Sequence, residues 1–463
     1  MDTITKPLAE RELRGATLCQ TLHWLASGRV SAGELCDTYL AAIARENPGL
    51  NAYVATNPRA ADEARATQTR RTSGPCGRLD GVPVSIKDNL DVAGLPTRSG
   101  MPATPAPAVR DAHVVERLRN AGAVILGKTH VPEGSLNASS TNPHTGAAHN
   151  PWRQGFQAGG SSSGAAAAVA AGLCTVAIGT DSLGSIRIPA SYCGVYALKP
   201  THGEISTHGM VPAARRLDCI GLVARGVDDL GVLLHLLAGY DANDPRSRRR
   251  HVDLALPDWE PGKLRAGILD LAAFGTEPAV TAAFARAMDA LQLELGQCRI
   301  VDFGDFPMQR ARRAAFFLIE AEMLVTHAAA LADDQHPVSP QVDQLLAYAR
   351  GRSAADYARA DRMLDAAVVA SRRLFGEIDV LVTPTTPQAA FAIDAALPDN
   401  QGDFTCFANF SGCPAVTIPM GLTADGLPVG LQFLGPPGSD LRLLELAQVC
   451  AAALDTTPAY PIG

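Results

Sequence analysis

Two short loops and one lysine carry the residues in this sequence that could break a bond. The loops are GGSSSG at 159–164 and GTDSLGS at 179–185. Each is bounded by strongly apolar segments, AAAAVAAGL at 165–173 and CTVAIG at 174–179 among them. Glycines beside serines at such element ends mark tight backbone geometry and an exposed hydroxyl rather than a flexible linker. A serine nucleophile needs a base within reach and backbone N–H groups aimed at the developing oxyanion. The nearest histidines in the chain are His149 and His202, both outside the two loops. A lysine is the alternative base, because Ser–Lys pairs also activate serine.

Lys87 is the lysine placed for that task. Only five of the forty Lys plus Arg residues are lysine, at positions 6, 87, 128, 199 and 263. Arginine keeps its proton inside proteins, whereas a desolvated lysine gives it up. Lys87 ends the strand-like run Val82-Pro83-Val84-Ser85-Ile86, where a neutral amine can be made. A second lysine closes GAVILGKT at 122–129, which fits the phosphate-loop pattern G-x-x-x-x-G-K-[ST]. Its middle residues, Ala123 to Leu126, favour a buried strand, and Asn120-Ala121-Gly122 reads as a helix stop. The order is helix, glycine, strand. A phosphate loop needs strand, loop, helix, and Pro132 argues against a helix opening at Lys128.

Around these residues the periodicity predicts helices over 8–70, strands within 79–92, and a helix then a strand over 111–131. A Gly/Ser/Asn-rich loop follows at 145–164, a small-residue helix at 165–173, a strand at 174–179, and a strand-like stretch at 191–199. A helix is expected at 227–239. The polar and then proline-bearing stretch at 240–260 reads as an excursion or lobe boundary. Residues 275–375 are mostly helical, 378–384, 415–420 and 427–434 are strands, and 440–454 is a final helix. Strands at both ends of a helical middle imply one sheet fed by both halves and covered by helices.

Composition bounds the function. The chain has 463 residues, 47% hydrophobic and 19% charged, with a formal net charge of −7. That is a well-buried globular protein with no electrostatic case for nucleic acid or an anionic membrane. No run is apolar enough to span a bilayer. The start, MDTITKPLAERELRGATL, lacks the build of a signal peptide. Ten cysteines without a C-x-x-C pair read as reduced core residues, so a cytoplasmic protein is expected. Eleven histidines without ligand-like spacing give no support for a metal, and nothing points to a cofactor.

The sequence resembles the amidase signature family. The matching pieces are Gly81-Val82-Pro83-Val84-Ser85-Ile86-Lys87-Asp88-Asn89, GGSSSG at 159–164, and GTDSLGSIRIPASYCGVYALKPT at 179–201. The family's AGA-V-I-L-GKT stretch falls on 121–129. The likeness continues more weakly through Asp218-Cys219-Ile220-Gly221 and Asn409-Phe410-Ser411-Gly412-Cys413-Pro414-Ala415, and fades over roughly 240–375.

The resemblance implies an α/β amidase-signature fold, a central mixed β-sheet covered on both sides by α-helices. It implies one domain over 1–463: N-terminal helices at about 8–70, a motif-bearing core at about 75–240, a divergent helical region at about 240–375, and C-terminal strands and helix at about 376–463. By motif, Ser185 is the nucleophile, Ser161 the serine of a cis peptide and Lys87 the base, a proton relay that cleaves an amide through an acyl-enzyme. The N–H groups around Ser182, Leu183 and Gly184 are expected to hold the oxyanion. Ser162 and Ser163 are expected to hydrogen-bond behind the reacting groups, and Asp181 and Arg187 to form an ion pair that fixes the turn. Thr180 is open.

Two departures bear on substrate. Leu183-Gly184 stands where the family usually has Gly-Gly, so a side chain faces the acyl pocket if the backbone allows it. GGSSSG replaces GGSSGG, a variant shared with allophanate hydrolases, as is VPAARRLDC at 211–219. The chain is too short for the extra C-terminal domain of those enzymes, and their tyrosine-to-arginine segment is not visible in 299–330. Arg215, Arg216 and Asn137 read as solvated or structural rather than ligand-binding. The implied substrate is a small carboxamide or ureido compound. The alternatives are an A-type subunit of a glutamyl-tRNA amidotransferase and a partner-dependent biuret or allophanate-type hydrolase. The resemblance admits a homodimer or a small partner subunit and leaves the oligomeric state open.

Overall fold

The computed structural model describes residues 8–73, 77–248, 263–455 and 459–463. The predicted excursion at 240–260 therefore falls largely outside the described residues.

The molecule is mixed α/β, built on a sheet of eleven strands flanked by helices. The strands are β1 (Tyr53–Thr56), β2 (Pro83–Lys87), β3 (Val124–Thr129), β4 (Val176–Asp181), β5 (Tyr196–Lys199) and β6 (Cys219–Ala224), then β7 (Ala266–Ile268), β8 (Arg299–Ile300), β9 (Val380–Pro384), β10 (Ala415–Leu422) and β11 (Pro428–Leu434). Their order across the sheet is β1-β3-β2-β4-β6-β5-β10-β11-β9-β7-β8. Both halves of the chain feed one sheet, joined where β5 pairs antiparallel with β10.

Strand β2 lies parallel to β3 and to β4. Every residue of β2, β3 and β4 is buried, as expected of parallel strands covered on both faces. Ile86 lies opposite Ile178, so Lys87 and Thr180 emerge side by side at the carboxyl ends of neighbouring strands. Open α/β sheets place their chemistry at such ends.

Five helices matter for the site: α1 (Ser163–Ala170), α2 (Arg187–Cys193), α3 (Met308–Thr326), α4 (Ala354–Glu377) and α5 (Cys406–Ser411). All eight residues of α1 are buried, and the helix packs on β2, β3, β4 and β6. Its run of alanines suits that place, since a small side chain lets the helix approach the strands closely. Helices α3, α4 and α5 pack on one another around a second apolar cluster that reaches Leu381, Ala415 and Leu434 of the sheet.

Strands β6, β7 and β8 lie where no strand is expected from the sequence, and three further segments differ from expectation. Within 8–70 the helices are interrupted by β1, which pairs antiparallel with β3. The expected loop at 145–164 holds two small ladders, Thr141–Asn142 with Gly146–Ala147 and His149–Asn150 with Arg153–Gln157. The strand-like stretch at 191–199 begins as the end of α2, which stops at Gly194 with φ 66°, and becomes a strand only at Tyr196. No helix among the described residues is long and apolar enough to cross a membrane.

Candidate active site

Lys87 closes β2 with its side chain fully buried. Its Nζ lies 2.8 Å from Ser161 Oγ and 2.7 Å from Thr180 Oγ1. Burial pulls the Lys87 pKa down from 10.5 to about 7, against the pull of the Asp181 and Asp218 carboxylates, which favour the proton. The amine is therefore poised to exchange a proton near neutrality. Thr180 Oγ1 also accepts from Asn89 Nδ2 at 3.2 Å, so threonine and asparagine together fix where the amine sits. Nothing in the sequence singled out Thr180 for this contact; the signal available was its place next to Asp181 at the end of an apolar run.

The two serine loops are sewn together. The Gly160–Ser161 peptide is cis. A Cβ at Gly160 would sit 2.1 Å from the Ser139 carbonyl oxygen, so this position requires glycine. The Ser162 N–H donates to the Ser185 carbonyl at 3.0 Å, and Ser162 Oγ donates to the Thr180 carbonyl at 3.0 Å. Ser163 Oγ donates to the His130 carbonyl at 3.2 Å and lies 3.0 Å from His130 Nδ1. Ser161 is almost fully buried, whereas Ser185 is partly exposed and lines a cavity of about 360 Å³.

The turn carrying Ser185 is held by one carboxylate. Asp181 accepts from the N–H of Gly184 at 2.7 Å and of Ile186 at 3.2 Å. It accepts from Arg187 Nε and Nη2 at 3.0 Å each, and from Asn409 Nδ2 at 2.9 Å. Burial alone would raise this carboxyl; Arg187, Lys199 and the Asn409 hydrogen bond outweigh it and hold the pKa at about 2. Arg187 is fully buried and also donates to Thr405 O, Gln432 Oε1 and Asn409 Oδ1. The C-terminal half thus clamps the loop. Asp181→Asn is expected to lower the unfolding free energy by about 3–5 kcal/mol, because Arg187 keeps its buried charge without a counter-charge. Urea unfolding of the two proteins measures it.

Of the N–H groups expected around the oxyanion, that of Gly184 is already given to Asp181. Gly184 has φ 122°, and a Cβ there would lie 2.1 Å from Thr405 Oγ1. Leu183 is not among the non-glycine residues with positive φ, and its side chain lines the cavity. Ser182 Oγ donates to Asp218 Oδ1 at 2.5 Å, which commits that hydroxyl proton to the carboxylate. Burial raises the Asp218 carboxyl to about 6, against the hydrogen bonds from Ser182 and from the N–H groups of Ala213 and Ala214.

Lys128 of GAVILGKT lies inside β3, buried, with its ammonium 3.1 Å from Asp88 Oδ1. It also donates to the Pro96 carbonyl at 3.2 Å and to Thr97 Oγ1 at 3.1 Å. Its charge is spent on the residue that follows Lys87. Arg216 pairs with Asp361 and Asp365, and the Arg215 N–H donates to Glu322. Asn137 Oδ1 accepts from the Ser139 N–H, and the residue also lines the cavity.

The sequence reasoning missed the far wall of the cavity. Gln309, Arg312, Arg313, Phe316 and Ile319 face it from one side of α3. Their spacing of three and four is the available signal, a helical stripe within the divergent region.

Residues 34–444 match the Amidase family. The chain is 34% identical over 476 residues to the A-type subunit of the glutamyl-tRNA(Gln) amidotransferase of Synechococcus sp. (strain CC9605), covering 94% of this chain and 95% of that one. It is 35% identical over 461 residues to the putative amidase AmiA2 of Mycobacterium bovis (strain ATCC BAA-935 / AF2122/97), covering 93% and 92%. The structure of 6-aminohexanoate cyclic dimer hydrolase complexed with substrate superposes with a TM-score of 0.84 at 28% identity, over 97% of this chain and 99% of that one.

Proposed function

Because this chain belongs to the amidase signature family and is an amide-hydrolysing enzyme, we propose that it cleaves the C–N bond of a small carboxamide or ureido compound through an acyl-enzyme on Ser185. Ser185 Oγ attacks the carbonyl carbon and passes its proton to Ser161 Oγ. Ser161 in turn passes its own proton to the neutral Lys87 amine. The electron pair of the C=O bond moves to the oxygen, which faces the N–H groups of the 182–185 turn other than the one Asp181 occupies. Collapse of that intermediate breaks the C–N bond, and the proton returns through Ser161 to the departing nitrogen. Water then attacks the acyl carbon by the same relay and frees Ser185.

The observation that carries this reading is the buried Lys87 amine 2.8 Å from Ser161, in a loop whose Ser162 N–H holds the carbonyl of Ser185, a residue that lines a cavity. Release of ammonia from a panel of aliphatic, aryl and ureido amides, dicarboxylic half-amides and peptide amides tests it. A second reading, an A-type subunit in a glutamyl-tRNA amidotransferase assembly, is favoured by the 34% identity to one such protein. The third is a partner-dependent biuret or allophanate-type hydrolase. Hydrolysis of simple amides by the purified chain alone argues against both. Silence across the panel from folded protein argues for a missing partner.

The relay carries a pH signature. Only the neutral amine can take the proton, so kcat/KM is expected to rise as pH climbs through about 7 and to level above pH 8. A profile flat from pH 6 to 8.5 would remove Lys87 as the base.

A further inference from the structure

The cavity beside Ser185 is mostly apolar, with Leu136, Leu183, Ile188, Phe316 and Leu397 in its walls, yet α3 brings it two arginines. An arginine pair at the end of an acyl pocket would ordinarily select a carboxylate. Here neither arginine is free to do so. Arg312 Nη1 is engaged by Asp403 Oδ1, whose side chain is 11% exposed. Arg313 is held by both carboxylate oxygens of Glu320, at 3.1 and 3.3 Å, and the Glu320 side chain is 2% exposed. The guanidinium of Arg313 also stacks on Tyr348, 4.0 Å from the ring centroid. A third carboxylate, Asp399, lines the same cavity and lies close enough to raise the Asp403 carboxyl. The two arginines that line this apolar space are therefore each paired with a carboxylate, and Asp399 lines the space beside them.

We propose that Asp403 and Glu320 set specificity by cancelling the charge of Arg312 and Arg313, so that the cavity selects amides with an uncharged, apolar acyl group over those whose acyl group carries a carboxylate. The inference rests on the reading that Ser185 receives the acyl group. Asp403 acts through Arg312, and Glu320 through Arg313; both are positioning residues. An incoming carboxylate would face Asp399, and would have to displace Asp403 from a partly buried ion pair to reach Arg312. A methyl-terminated chain has only to displace water from apolar walls.

The test compares hexanamide with the monoamide of adipic acid, equal in chain length and differing in a terminal carboxylate. Binding of each is measured by calorimetry at pH 7.5 to the Ser185→Ala chain, and to the same chain carrying Asp403→Asn or Glu320→Gln. The Ser185→Ala chain is expected to bind hexanamide at least about tenfold more tightly, and Asp403→Asn to narrow that gap about tenfold by freeing the Arg312 charge. Glu320→Gln should narrow it less, because Tyr348 still holds Arg313. Equal or tighter binding of the half-amide to the Ser185→Ala chain overturns the proposal whatever the second variants do. An unchanged gap in both second variants overturns it too, as does binding of neither amide. Turnover of hexanamide by the unaltered enzyme is scored separately. A retained binding preference without turnover would count against Ser185 as nucleophile and leave the pocket assignment standing.

Discussion

Ser185→Ala is expected to lower kcat for amide hydrolysis by about 10⁴-fold or more, with a change in stability within about 0.5 kcal/mol. The two halves of that expectation come from different features of one turn. The Ser185 side chain faces the cavity and is partly exposed, so removing one oxygen opens no hole in the core. The carbonyl of residue 185 still accepts from the Ser162 N–H, and Asp181 still holds the N–H groups of Gly184 and Ile186. Alanine keeps all three. Ammonia release from the best amide of the panel, beside a thermal unfolding curve, measures both quantities. Turnover near that of the parent would end the nucleophile assignment. Ser161→Ala separates the two serines. Ser161 is buried against Lys87 and set back from the cavity, so its loss slows proton transfer while Ser185 can still be acylated. An activated ester with a good leaving group should therefore still acylate Ser185, seen as a mass increase in the Ser161→Ala protein, and should mark nothing in Ser185→Ala.

The groups proposed to react were legible as candidates because each sits in a short segment whose local geometry is tied to its composition. Lys87 ends a strand that VPVSI writes plainly. The GGSSSG loop needs its glycines because Gly160 abuts the Ser139 carbonyl, and such a constraint leaves a mark on sequence. The supports of those groups were less visible. Arg187 meets Asp181 six residues away, which spacing allows, but its other partners, Thr405, Asn409 and Gln432, come from the far end of the chain. The Arg312–Asp403 pair joins the divergent helical region to the loop before α5, and no local pattern writes a contact of that span. The stripe on α3 announces a helix with one face turned inward; which cavity it faces is decided by the packing of α3 on α4 and α5. Strand β1 was hidden for a different reason. Four residues between two helices carry too little alternation to read, and what fixes them is pairing with β3. The phosphate-loop lookalike shows the reverse case. There the local reading of Val124 to Leu126 as buried strand outweighed a letter-for-letter pattern, and Lys128 is committed to Asp88.

Lys87→Met is expected to lower turnover by about 10²–10⁴-fold, and to change how stability depends on pH. Lys87→Arg should be about as damaging to activity as Lys87→Met, since arginine holds a charge in the same place but cannot accept the proton. The stability prediction isolates the base itself. In the folded protein Lys87 titrates at about 7, and in the unfolded chain at 10.5. Between those values the unfolded chain binds a proton that the folded protein does not, so this group makes the parent more stable as pH rises from 7 towards 10.5. Below pH 7 the full cost of burying the ammonium is present, and above 10.5 it is gone. Methionine has no such cost at any pH. The parent should therefore gain on Lys87→Met by on the order of 5 kcal/mol across that window. Methionine also leaves Ser161 Oγ and Thr180 Oγ1 without the amine, but that loss is nearly independent of pH and drops out of the difference. Urea unfolding of both proteins at pH 6.5, 8 and 9.5 gives the slope. A difference constant with pH would mean that Lys87 keeps its proton in the fold. The relay would then lack its acceptor, and the nucleophile would need another base.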